Sequence, residues 1–185
     1  MRTIWIAVLV GVVLVAPSIA FGQTEWVEDP ANPVILAADP GAWDGGDRYP
    51  LAVIVVDGIY HLYFNGQEAG SPFLESYDIG HATSSDGVNW EMDPANPVLT
   101  RGAEGEWDDT SNWGSAVIHD ESGFRMWYSG GNVDHFRAGY ATSVDGSVWT
   151  KYAGNPIMDL GPPGSFDDQG VMPNTVILRN GIYQM

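Results

Sequence analysis

The chain of 185 residues contains no cysteine. That absence excludes disulfides, thiolate nucleophiles, cysteine-based zinc sites and lipid-modified cysteines. Cations are scarce as well: Lys151 is the one lysine, and lysine plus arginine number 7 against 24 aspartates and glutamates, a formal net charge of -17. Such a surface has little with which to neutralise phosphates, which argues against nucleic acid and anionic lipid as partners. No segment beyond the N-terminus carries a helical period of useful length. What remains is 44% hydrophobic, 12% aromatic and 17% charged, the composition of a globular protein. Carboxylates, aromatic rings, amides and a few histidines and arginines must carry its chemistry.

Arg2, the apolar run Ile4 to Ala20 interrupted by Pro17, and the small residues Ala20 and Gly22 around Phe21 have the three parts of a secretory signal peptide. Cleavage is expected after Gly22, with Ala20 as the second site. The alternative is an uncleaved anchor, but the run is shorter than the roughly 20 residues a span prefers. The expected organisation is a signal peptide at 1–22 and one domain at 23–185. The protein is then secreted or periplasmic, with no membrane association after cleavage. Its acidic surface would also stay solvated in a saline habitat.

That domain is a repeat. Trp26, Asn32-Pro33-Val34 and Trp43-Asp44 recur 64 residues later as Trp90, Asn96-Pro97-Val98 and Trp107-Asp108. A further 59 residues on they return as Trp149, Asn155-Pro156-Ile157 and Phe166-Asp167. Units near 26–92, 93–151 and 152–185 follow. Each reads as short strands: Leu51 to Val56, suited to burial on both faces, an Asp57-Gly58 hairpin turn, Tyr60 to Phe64, Ile79 to Ser84, and a fourth strand ending at Trp90 and Met92. Four antiparallel strands in about 60 residues is the pattern of a β-propeller blade. The expectation is an all-β chain with about 2.6 blades present of five, the N-terminal portion of a longer protein. The alternative is a short chain that closes its ring by association.

Asn-Pro-Val/Ile, Gly-x-Trp-Asp, Asp-Gly-x-Tyr-x-Leu/Met-Tyr and Gly-x-Ala-Thr-Ser-x-Asp-Gly-x-x-Trp together resemble the blades of the five-bladed β-propeller glycosidase superfamily. Arabinanases, xylosidases, invertases, levansucrases and the mannoside phosphorylase families belong to it, with glycoside hydrolase families 43 and 32. The resemblance implies a carbohydrate partner. A weaker resemblance links Ser84 to Trp90 to the Asp-box of sialidase-type propellers, and that segment is one residue short of the box. A sialidase would also need an arginine cluster, and only Arg48 of the six scattered arginines is well placed.

Residues repeated in every blade are expected to build the blade, and those that break the repeat at its mouth to act. By that rule the aromatic-Asp pairs at 43–44, 107–108 and 166–167 are structural, the ring packing between blades and the carboxylate capping a loop. Asp86 and Asp145 are turn residues, and Trp90 and Trp149 close the blade cores. Loops entering the first strands hold Asp47, Arg48 and Tyr49 in blade one and Asn112 and Trp113 in blade two. Arginine can grip vicinal hydroxyls, and flat rings stack on sugar C–H groups. The Asn65–Asp78 loop adds Gln67, Glu68 and Glu75, the two glutamates reading first as solvated. Asn132, Asp134 and His135 lie in the matching loop of blade two. His135 lacks a partner at metal-ligand spacing.

Glycoside hydrolysis needs two carboxyl groups flanking the bond. In the family-43-like pattern the carboxylates begin the first strands, but here those positions fall on Pro50, Gly114 and Pro173. Either the carboxylates are Asp47, Asp109 and Asp168 on the preceding loops, or the propeller does not hydrolyse. The expected function is a glycoside hydrolase acting on poly- or oligosaccharide. Asp47 would be base or nucleophile, Asp109 or Asp168 would tune it, and Arg48, Tyr49, Asn112, Trp113, Glu75 and His135 would be candidate sugar contacts. A non-catalytic glycan- or protein-binding propeller is the alternative. No cofactor is expected beyond a structural calcium at an acidic ring mouth.

Overall fold

The computed structural model describes residues 28–36, 38–132 and 134–185, so the signal-peptide segment and Trp26 lie outside the described residues. The described residues divide into two units between Asn32 and Pro33. In the first, Asp29 accepts a hydrogen bond from the Ala31 amide at 2.8 Å.

Residues 33–185 are built of strands. Blade one is β1 (Arg48–Val56), β2 (Ile59–Gln67), β3 (Tyr77–Ser84) and β4 (Glu91–Met92), paired in chain order. Blade two repeats this with β5 (Ser111–Asp120), β6 (Gly123–Gly131), β7 (Phe136–Ser143) and β8 (Thr150–Lys151). A third unit begins with β9 (Ile177–Arg179) and β10 (Ile182–Gln184). All named pairs are antiparallel. The chain is therefore a partial β-propeller with four-stranded blades. Asp57 and Gly58 carry φ of 50° and 82°, the conformation a two-residue hairpin turn demands. Each first strand bulges near its start, between Pro50 and Ala52 and between Trp113 and Ser115.

The repeated polar residues build the blades. Asp86 Oδ1 accepts from the Val88 and Asn89 amides, and Asp145 Oδ1 does the same for Ser147 and Val148. The indoles of Trp90 and Trp149 donate to the Gly87 and Gly146 carbonyls. The amide of Asn96 accepts from the His81 backbone N–H and donates to its carbonyl, at 2.8 and 2.9 Å. Asn155 holds Tyr140 in the same way. Each asparagine thus stands in for one residue of the outermost strand, which resumes at Leu99 opposite Ile79 and at Met158 opposite Ala138.

Three expectations change. Trp43 stacks on Phe64 and Trp107 packs on Tyr128, so these two rings lie within their own blades rather than between blades, while Phe166 is exposed. Two of the carboxylates hold cations rather than capping loops, Asp44 taking Arg48 and Asp108 taking Lys151 and the Tyr128 hydroxyl, whereas Asp167 accepts the Ser165 hydroxyl of its own loop at 2.6 Å. The first strand of blade one is also not buried on both faces. Val53 is 53% exposed whereas Val117, 64 residues on, is 7% exposed, because blade one packs against the Val117 face of β5.

A core of Tyr63, Ile79, Val98, Leu99, Val117, Phe124, Met126 and Tyr128 joins the two blades. Glycines let the aromatic-Asp pairs approach. A Cβ on Gly66 would stand 2.5 Å from both Asp44 Cβ and the Trp43 ring, and one on Gly130 would stand 2.6 Å from the Trp107 ring. Gly130→Ala should therefore lower stability by about 1–3 kcal/mol, read as a lower urea midpoint with an unchanged slope.

Candidate functional site

The mouth of the two blades is set by where β1 and β5 begin. At that end Asp47 accepts the Gln67 amide through its carbonyl at 2.9 Å, fixing the strand entry, while its side chain stays exposed. The Tyr49 hydroxyl donates to Asp47 Oδ2 at 3.3 Å. Tyr49, 37% exposed, tilts against Trp113 with ring centroids 5.5 Å apart and against Tyr77 at 6.0 Å. Trp113 stands edge-on to Tyr77 at 4.5 Å. Three rings from β1, β3 and β5 thus form one cluster beside a solvent-facing carboxylate. Burial drives the Tyr77 phenol well above its ordinary pKa, and the neighbouring Tyr49 and Asp47 push it further. It stays neutral through the physiological range.

The Trp113 wall is held from blade one. The buried Asn65 amide donates to the Asn112 carbonyl at 2.7 Å and accepts the Gly114 N–H at 3.2 Å, clasping the backbone on both sides of Trp113. Gly114 has φ of 54° at this bulge, a conformation that favours glycine. The sequence reading did not single out Asn65 or Tyr77 as functional. Asn65 had a legible signal, since its counterpart in blade two is Ser129, whereas Tyr77 joins the site through a contact distant in sequence.

The other candidates are placed as follows. Arg48 is engaged internally, its guanidinium 2.6 Å from buried Asp44, donating to the Leu36 carbonyl and lying 5.6 Å from the Phe64 centroid. Asn112 is fully buried, and its side-chain nitrogen and oxygen have no hydrogen-bond partner among the described residues. Asp109 accepts the Gly105 amide at 2.8 Å and the Thr110 hydroxyl at 3.0 Å. These bonds hold its pKa below the ordinary carboxylate value. Asp168 accepts the Gly164 amide at 2.6 Å, the same loop lock one repeat later. Glu75 contributes its carbonyl, which accepts from the buried Gln67 amide and ties down the loop after β2. His135 closes a tight turn with Asn132. The structure brings together Asp47, Tyr49 and Trp113, and assigns Arg48, Asp109 and Asp168 internal partners. Among the described residues no cluster of three or more histidines and carboxylates forms a cation site.

The glycosyl hydrolases family 32 N-terminal domain model matches residues 49–185. The chain belongs to that family. Among solved structures, a family 117 glycoside hydrolase of the marine bacterium Zobellia galactanivorans superposes with a TM-score of 0.64 at 18% identity, covering 74% of this chain and 46% of that one. Fructan 1-exohydrolase IIa of Cichorium intybus superposes at 0.53 with 24% identity, over 65% of this chain and 23% of that one. At these identities the likeness is one of fold. A type blood N-acetyl-alpha-D-galactosamine deacetylase of Flavonifractor plautii is 38% identical over 53 residues, 25% of this chain and 7% of that protein. The family 32 domain described here spans less than half the length of each of these proteins.

Because Arg48 is committed to Asp44, Arg48→Ala should lower the melting temperature rather than act first on ligand affinity. Breaking one partner of a buried pair costs about 3–5 kcal/mol, which differential scanning calorimetry would register.

Proposed function

We propose that this family 32 domain is part of an exported glycoside hydrolase and that its sugar site lies over Tyr49 and Trp113. The observation that carries the proposal is the pairing of exposed Tyr49 and half-buried Trp113 with the Asp47 carboxylate, oriented by the Tyr49 hydroxyl. Sugar rings present apolar C–H faces to aromatic planes, and a carboxylate at the edge accepts their hydroxyls or acts as base or nucleophile. Asp47 is the carboxylate assigned that part. Asp109 and Asp168, already bonded to loop amides, act on the site by shaping the loops that frame it. Family membership supports glycan as the substrate class, and the sequence of residues 1–22 supports export.

A second reading is a glycan-binding propeller without turnover. It is favoured by the internal commitments of Asp109 and Asp168, which leave Asp47 without a described carboxylate partner for the two-carboxyl mechanism.

The two readings separate on the full chain with a panel of plant and algal oligosaccharides, measured by reducing-sugar release and by calorimetric binding. Asp47→Asn should lower kcat at least about 100-fold while binding persists. Trp113→Ala should weaken binding by about 1 kcal/mol, read as a roughly fivefold rise in Kd. Turnover that survives Asp47→Asn removes Asp47 from the chemistry, and binding without turnover by the parent chain selects the second reading.

A further inference from the structure

Three of the four histidines gather where blade one faces blade two. His81 on β3 is 3% exposed, and its Nδ1 lies 2.8 Å from Asp93 Oδ2. A carboxylate only accepts, so Nδ1 carries the proton and Nε2 is left to accept in turn. His61 Nδ1, 3.0 Å from that Nε2, is then the donor. The two imidazoles are stacked, with centroids 5.2 Å apart and planes 14° from parallel. Tyr63 stacks on His81 at 4.8 Å and sends its hydroxyl into blade two, to the Gly146 carbonyl at 3.0 Å. On the blade-two side Phe124 lies 5.1 Å from His61 and meets His119 edge-on at 4.7 Å.

Blade two fills the matching positions differently. Arg125, Tyr140 and Tyr152 stand where blade one has His61, His81 and Asp93, and Arg125 donates to the Tyr140 hydroxyl at 2.6 Å. Neither arginine nor tyrosine changes charge near neutral pH. Blade one therefore breaks the repeat by placing two titrating rings and a carboxylate at the seam.

We propose that the Asp93–His81–His61 chain is an acid-sensitive latch between the first two blades. With both rings neutral, every bond in the chain has one donor and one acceptor. A proton added on His61 breaks that pattern and sets a cation face to face with the His81 ring, with His119 on the far side of Phe124 adding to the repulsion. Besides His119, the titratable groups near the chain include Tyr63, Asp145 in the turn that receives Tyr63, and Asp39, Asp44 and Arg48, which line a cleft with Asp93. Their charges do not change across the histidine range.

The direction of the effect follows from proton affinities. Burial, then His81 and His119, lowers the pKa of His61. The unfolded chain therefore binds this proton more readily than the folded one. The His61 contribution to stability is complete above about pH 6.5 and is lost as pH falls from there through the folded value. Burial opposes ionisation of Asp93, but hydrogen bonds from His81, from the Ser147 side chain of blade two and from the Ala95 amide outweigh it and lower its pKa. Its contribution disappears at still lower pH.

The experiment compares melting temperatures of the full chain at pH 7.5 and 5.0 for wild type, His61→Gln and His119→Gln, with an NMR titration of the wild-type histidine rings. Glutamine can donate to His81 without ionising. The fall in melting temperature should be smaller in His61→Gln than in wild type by about 3 °C or more, and reduced to a lesser degree in His119→Gln. His61 should titrate below the ordinary histidine value of about 6.5. An undiminished fall in His61→Gln, or a His61 that titrates at or above about pH 6.5, overturns the latch. If His61→Gln does not fold, the wild-type titration alone decides.

Discussion

The blades depend on a charge buried beneath a ring. Asp108 is 2% exposed, and its carboxylate gathers Lys151 from β8, Tyr128 from β6 and, through its own backbone, the loop that carries Trp107. A carboxylate removed from water needs this kind of company, because desolvation otherwise drives it to take up a proton. Satisfying it draws an outer strand, a middle strand and the inner-strand entry to one point. Blade one solves the same problem with another residue, reaching Asp44 with Arg48 from β1. In these two blades the acid holds the same place, whereas the cation comes from a different strand in each.

This also explains how so acidic a chain uses its few cations. Five of the six arginines and lysines among the described residues pair with aspartates within the fold: Arg48, Arg101, Arg125, Arg137 and Lys151. A guanidinium that holds a buried carboxylate is not available to grip a ligand. At the mouth of the two blades the described side chains are aromatic faces, amides and a carboxylate.

Much of the architecture was legible because it rests on local chemistry repeated at fixed intervals. The Asp57-Gly58 turn, the Asp86 and Asp145 turns and the four strands per blade each follow from a few adjacent residues. The partners of Asp44 and Asp108 did not, since Lys151 reaches Asp108 across 43 positions of chain and no spacing announces it. Sequence proximity drew Arg48 towards the sugar, whereas an equally near buried acid holds it. Of the three loop aspartates, the Gly105–Asp109 and Gly164–Asp168 spacings repeat, and that identity was a sign of structure available in the sequence. Asp47 has no such companion, since Ser111 stands in its place one blade later. Its position among Tyr49, Tyr77 and Trp113 emerges only when strands from two blades are brought side by side.

The asparagine that replaces part of each outermost strand bears on how the protein behaves at high concentration. A long flat edge strand is a template onto which another polypeptide can add, the first step of sheet-to-sheet aggregation. Here the named outer strands are two residues long, and the next hydrogen-bonding positions along β3 and β7 are taken by the side chains of Asn96 and Asn155. A foreign strand meets a broken ladder guarded by an amide. The motif that marks the repeat in the sequence is, at the rim of each blade, a device for keeping neighbouring molecules apart.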